Sequence, residues 1–117
     1  MTRDDFNSFC AALPAVTHVV QWGGADVWKV GGKVFAIGGW ADGHDAFTFK
    51  VKPLAYEVLR DMEGLRPAPY LASRGLKWIQ HHGTPGLSDD ELKVHLTASY
   101  DMIVAALPKK HRAELDI

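Results

Sequence analysis

Gly31-Gly32 sits between two short apolar runs, Asp26-Val27-Trp28-Lys29-Val30 and Lys33-Val34-Phe35-Ala36-Ile37. Two residues free to take positive φ between such runs predict a tight hairpin, because the twist of that turn matches the twist of the flanking strands. A chain that folds back here commits this region to antiparallel pairing. The neighbouring segments agree. His18-Val19-Val20-Gln21-Trp22 is β-branched and aromatic, as a strand requires, and Gly23-Gly24 breaks it. Gly38-Gly39-Trp40-Ala41-Asp42-Gly43 reads as a turn-rich stretch. Phe47, Phe49 and Val51 then alternate with Thr48, Lys50 and Lys52, which predicts a strand with one dry and one wet face. Thr17 to Lys52 is therefore expected to be a three- or four-stranded antiparallel meander.

Helical signals flank the meander. Thr2-Arg3-Asp4-Asp5 resembles a capping box, and Phe6, Phe9, Cys10 and Leu13 follow at helical spacing until Pro14, giving a helix at about residues 2–12. Pro53 opens a second helix with Leu54, Val58, Leu59 and Met62 as its apolar stripe and Gly64 as its stop. Arg66-Pro67-Ala68-Pro69-Tyr70 must be extended or turning, since each proline restricts the residue before it. Leu76 to Gln80 predicts one more strand, and His81 to Gly86 a loop. Ser88-Asp89-Asp90-Glu91 is a full capping box opening a long helix with Leu92, Leu96, Tyr100, Ile103 and Leu107 on its buried face. Pro108 ends or kinks it, and Lys109-Lys110-His111-Arg112 forms a basic C-terminal turn. Helix, meander, helix, strand and long helix make an α+β two-layer sandwich, an antiparallel sheet with helices on one face, in a single domain over residues 1–117.

Composition narrows the function classes. At 117 residues and 47% hydrophobic, the chain can fold on one core without metal or disulfide support. Cys10 is the single cysteine, so no intrachain disulfide or multi-cysteine zinc site exists. The longest apolar run, Met102 to Leu107, is far short of the roughly 18 residues a membrane span needs. The polar, acidic start carries no secretory signal, and the expected location is cytoplasmic. A formal charge of -1 excludes a strongly basic nucleic-acid coat, so nucleic-acid contact would use a local patch. Such a patch exists in outline: residues 29–77 hold eight basic and five acidic residues, while the flanking stretches are each net acidic.

Trp28-Lys29-Val30-Gly31-Gly32-Lys33-Val34-Phe35-Ala36 resembles a signature of the MmcQ/YjbR proteins. Further stretches agree in order and spacing: Phe49-Lys50-Val51 before Pro53, Pro67-Ala68-Pro69-Tyr70-Leu71 before Lys77-Trp78-Ile79, and Ser99 to Val104 before Leu107-Pro108-Lys109-Lys110. The resemblance runs from about Leu13 to Leu115. It implies a small bacterial α+β protein related to the frataxin-like sandwich, often described as DNA-binding through a double-wing surface, with no catalytic residues to carry over.

Five candidate sites follow. Lys29 and Lys33 flank the glycine turn, and Lys50 and Lys52 share a wet strand face; together with Trp40 they form the candidate nucleic-acid surface. The expected partner is duplex DNA, bound weakly, in a salt-sensitive manner and with little sequence preference. The same lysines would equally serve to keep the sheet soluble and block edge pairing. Of the four tryptophans, Trp28 and Trp78 are expected in the core or at its rim, and Trp40 in an exposed turn where it can stack a base. His81-His82, His95 and His44-Asp45 have no chelating spacing, so neither a metal nor any other cofactor is expected. Cys10 and Ser99-Tyr100-Asp101 lie on helices as packing residues, and no enzyme is expected. The alternative to DNA binding is a protein- or small-ligand-interaction module in which the Pro67–Trp78 region frames a cleft holding Tyr70 and Trp78.

Overall fold

The computed structural model describes residues 1–71 and 75–117. The meander forms with four strands, and the third is longer than the sequence suggests. Strands β1 (Val16–Gln21), β2 (Ala25–Val30), β3 (Lys33–Ala41) and β4 (His44–Lys50) are joined by short turns and pair antiparallel in sequence order. Gly31 and Gly32 close the β2–β3 hairpin with φ of 59° and 78°, both left-handed, as the turn type requires. A Cβ on Gly31 would also lie 2.6 Å from Leu107, so this turn is roofed by the end of the long helix.

The turn expected over residues 38–43 is confined to Asp42-Gly43, because Gly38 to Ala41 continue β3. After β4 the chain forms α2 (Pro53–Leu59), then β5 (Leu65–Pro67), then β6 (Trp78–His81). The sheet order is β1-β2-β3-β4-β6-β5, so β6 inserts between β4 and the earlier strand β5. Pro67 is tolerated because β5 is an edge strand.

Helices α1 (Arg3–Ala11) and α3 (Asp89–Ala106) pack on one face of the sheet, over a core of Phe6, Cys10, Phe35, Phe47, Phe49, Ile79, Leu92 and Leu96. A bulge near Trp28 and Lys29 makes Phe35 an extra residue, so Phe35 and Ala36 both join this core. Both capping boxes form: Thr2 and Asp5 exchange bonds at α1, and Ser88 and Glu91 at α3. Ser99, fully buried in α3, accepts from the Lys50 N–H at 2.9 Å and donates to the Phe35 carbonyl at 2.7 Å. Its hydroxyl thus adds one rung where the β3–β4 ladder stops at the Ala36–Phe49 pair.

Three expectations need correction. The expected α2 stripe holds at Leu59 and Met62 but not at Leu54 and Val58, which are exposed; Tyr56 is buried in their place, since this two-turn helix meets the sheet edge on a narrow face. Residues 109–112 are not a terminal turn but the start of α4 (Lys109–Leu115), which Pro108 initiates at its N-cap position. Thr48 is not wet but buried, because the second face of the sheet is partly covered by the chain after β5.

Candidate functional site

That second, open face carries the rows of residues that alternate away from the helices. One row runs Val19, Val27, Ile37, Thr48, Gln80 and Arg66 across all six strands. A groove of about 640 Å³ lies on it, floored by Ala25, Ile37, Gly39, Thr48 and Gln80. Arg66, Ala68, Pro69, Tyr70 and Leu71 wall one side, and Trp22 and Trp40 the opposite end. The volume is that of a small-molecule site.

The two adjacent glycines of β3 have different reasons to be glycine. Gly38 faces α1, where a Cβ would lie 2.7 Å from the Phe6 ring. Gly39 faces the groove, where a Cβ would meet nothing nearer than Ala25 at 4.0 Å. Its backbone is not left-handed either. The groove floor is therefore open at Gly39 for no packing reason.

The aromatic rim is costly. Trp22, Trp40 and Tyr70 are 63%, 51% and 87% exposed. Trp22 and Tyr70 also hold φ of 54° and 67°, a left-handed conformation that costs a non-glycine residue roughly 1–2 kcal/mol. Trp40 is held by the Arg3 guanidinium, 4.5 Å from its ring centre.

Arg66 is the one charged residue among the described lining residues. Its Nε donates to Gln80 Oε1 at 2.7 Å, which fixes the plane of the guanidinium. The carboxylates paired among the described residues meet the Met1 amine, Arg3 and the His18 ring, and leave Arg66 without a carboxylate.

The residues expected to bind nucleic acid do not form one group. The pleat places Lys29 and Lys50 on the open face, beyond the groove and with β3 between their strands. Lys33 is exposed beside the Gly31-Gly32 turn. Lys52 shares no strand face with Lys50, because β4 ends at Lys50 and Lys52 is the N-cap of α2. Trp40 is exposed as expected, but from a strand rather than a turn. Of the two cleft residues, Tyr70 lines the groove and Trp78 does not: it pairs with Lys50 one step further along β6 and is buried. Trp28 is a core residue whose Nε1 donates to Asn7 Oδ1 at 2.9 Å.

A second polar cluster lies between α1 and the sheet. Asp26 accepts from Arg3 at 3.1 Å and Asn7 at 3.0 Å, and His18 Nε2 lies 2.7 Å away. Partial burial works against its charge, but the bonds from Asn7, His18 and Arg3 outweigh it and hold the carboxyl below its usual range. Arg3 further donates to the Gly39 carbonyl at 2.6 Å and pairs with Asp45. These partners occupy Asp26, so the cluster acts as a clamp that docks α1 and fixes the β3 end of the groove. Burial pushes the Cys10 thiol up to about 12, which removes it as a nucleophile at neutral pH. Burial also lowers His81 and His95, favouring their neutral forms. Among the described residues no group of three or more His, Cys, Asp or Glu is placed to hold a metal ion, and no helix is long and apolar enough to cross a membrane.

Sequence reading missed the groove floor and Arg66. The signal available is Gly39 within an apolar run, although Gly38-Gly39 before Asp42-Gly43 equally signals a turn. The Arg66–Gln80 bond depends on β5 pairing with β6, and a three-residue strand containing proline leaves no periodicity to read.

The fold has a solved counterpart. The crystal structure of the Deinococcus radiodurans protein DR2400, with a DUF419 domain, superposes with a TM-score of 0.84 at 24% identity, covering 99% of this chain and 88% of that one. No curated protein matches the sequence. The YjbR family model matches residues 11–102, from the end of α1 through most of α3. That span includes the whole sheet, α2 and most of α3, and the chain belongs to the YjbR family.

Proposed function

We propose that this protein acts by binding rather than by catalysis, and that the groove on the open face of the sheet is its binding site. Gly39 carries this reading. A glycine inside a strand costs about 0.5–1 kcal/mol relative to alanine, and here neither φ nor a neighbouring atom requires it. What it does is keep the cavity floor empty where a side chain would fill it. The exposed, left-handed Trp22 and Tyr70 support the same reading, since strain of this kind gathers at functional sites. The test is Gly39→Leu, which fills the floor without touching the helix side. Small aromatic fragments should shift the amide resonances of Gly39, Thr48 and Gln80 in the native protein and leave those of the folded variant unmoved. Shifts scattered over the surface, or retained in the variant, would overturn the proposal.

A second reading, weak binding of duplex DNA, is supported by Lys29 and Lys50 sharing this open face two strands apart. These two reach about two phosphates, so log affinity should fall against log salt with a slope of about -2. Anisotropy titrations at two salt concentrations test it. Binding untouched by Lys29→Ala with Lys50→Ala, or none at low salt, would remove DNA as a partner of this face.

A further inference from the structure

We propose that the groove takes a planar aromatic molecule bearing one anionic group, a carboxylate or a phosphate, and that Arg66 is the anchor for that anion. This rests on the groove being the binding site. Its lining is apolar and aromatic on both sides, Ala68, Pro69 and Leu71 included, and polar along one strip of β4, β6 and β5. At the β2–β3 end lie Ala25, Ile37, Trp22 and Trp40, which offer apolar area and ring faces. At the β6–β5 end lie Thr48, Gln80 and Arg66, adjacent across the strands in register.

Arg66 has what an anion site needs. It is half-buried, and Gln80, itself buried on the floor, takes only its Nε hydrogen. Both Nη groups remain for a ligand, forming the fork that matches a carboxylate or phosphate edge. No carboxylate among the described residues neutralises it, and a cation on an apolar wall is strengthened toward an incoming anion by the low local dielectric. Gln80 is a positioning residue: it holds the guanidinium plane that the anion meets.

Two anionic probes with neutral counterparts test the assignment: naphthoate against naphthalenemethanol, and adenosine monophosphate against adenosine. Each is titrated by tryptophan fluorescence and amide shifts against the native protein, Arg66→Gln, Arg66→Lys and Gly39→Leu. At least one anion should bind about 10- to 100-fold tighter than its counterpart. Arg66→Gln should erase that preference while leaving the neutral compound within about twofold, and Arg66→Lys should keep part of it. Naphthoate alone binding assigns a carboxylate, and the nucleotide alone a phosphate. Equal binding of the neutral partner, or a preference surviving Arg66→Gln, overturns the anchor and leaves the groove standing. No binding of any probe at about 5 mM, with Gly39→Leu no different, overturns the groove itself.

Discussion

Ser99→Ala should be among the most damaging small substitutions in this protein. The side chain loses one oxygen, but that oxygen serves two strands: it accepts from the Lys50 N–H at 2.9 Å and donates to the Phe35 carbonyl at 2.7 Å. Ser99 is fully buried, so water does not replace it. Each backbone group left unpaired costs about 1–3 kcal/mol, and partial closure of β3 onto β4 recovers some of this. The net loss should be about 2–4 kcal/mol out of the roughly 5–15 that a domain of this size possesses. Urea denaturation followed by tryptophan fluorescence measures it: the midpoint should fall while the slope stays constant. Ser99→Thr should restore part of the loss if the added methyl is accommodated. A loss in Ser99→Ala below about 0.5 kcal/mol would mean that the strands close without the hydroxyl, and the bridging argument would fail.

The two strand glycines should respond in opposite directions: Gly38→Ala should destabilise through the Phe6 contact, and Gly39→Ala should stabilise by about 0.5–1 kcal/mol, as two unfolding curves would show. Asp26 is held ionised in the folded state, so its contribution is present above the unfolded carboxyl pKa of about 3.9 and lost as pH falls through the lower folded value. Asp26→Asn should therefore flatten stability against pH below about pH 4, and an unchanged profile would separate the clamp from the acid response. Ser88→Ala should cost about 1 kcal/mol by removing the α3 cap, read as a shift in melting temperature. Cys10 should resist thiol reagents in native protein and react promptly in urea; equal rates would contradict its burial.

Local chemistry made much of the fold legible. Gly31-Gly32, the two capping boxes and the β4 alternation each act within a few residues, and each produced the element it signals. Elements fixed by distant partners were harder to see. The β5 strand exists because β6 arrives beside it, and Thr48 is dry because it lies on the floor of a groove walled by residues 68–71. The site fared likewise. Trp40 was legible as an exposed aromatic and Tyr70 as a residue of a proline-framed cleft, whereas Gly39 and Arg66 acquire meaning only from the opposite wall. Trp78, two residues before Gln80 on β6, shows that a residue of the same strand and face can lie outside the groove.

The order in which the chain meets the sheet has a kinetic consequence. Strands β1 to β4 form from neighbours in sequence, and such short closures are made early. The β5 strand leaves the ribosome before β6 but has no strand to join until β6 has docked on β4. The wall that follows it is tied on by the Ala68 N–H to the Trp78 carbonyl at 2.9 Å, so it closes after that docking. The same dependence runs backwards in the native state. The edge formed by β5 and Ala68 should open first and exchange its amide hydrogens fastest among the strands, well ahead of Phe49 in β4. A ligand in the groove would slow that exchange more than the exchange of the meander strands beneath it, making the sheet's last rung its most responsive part.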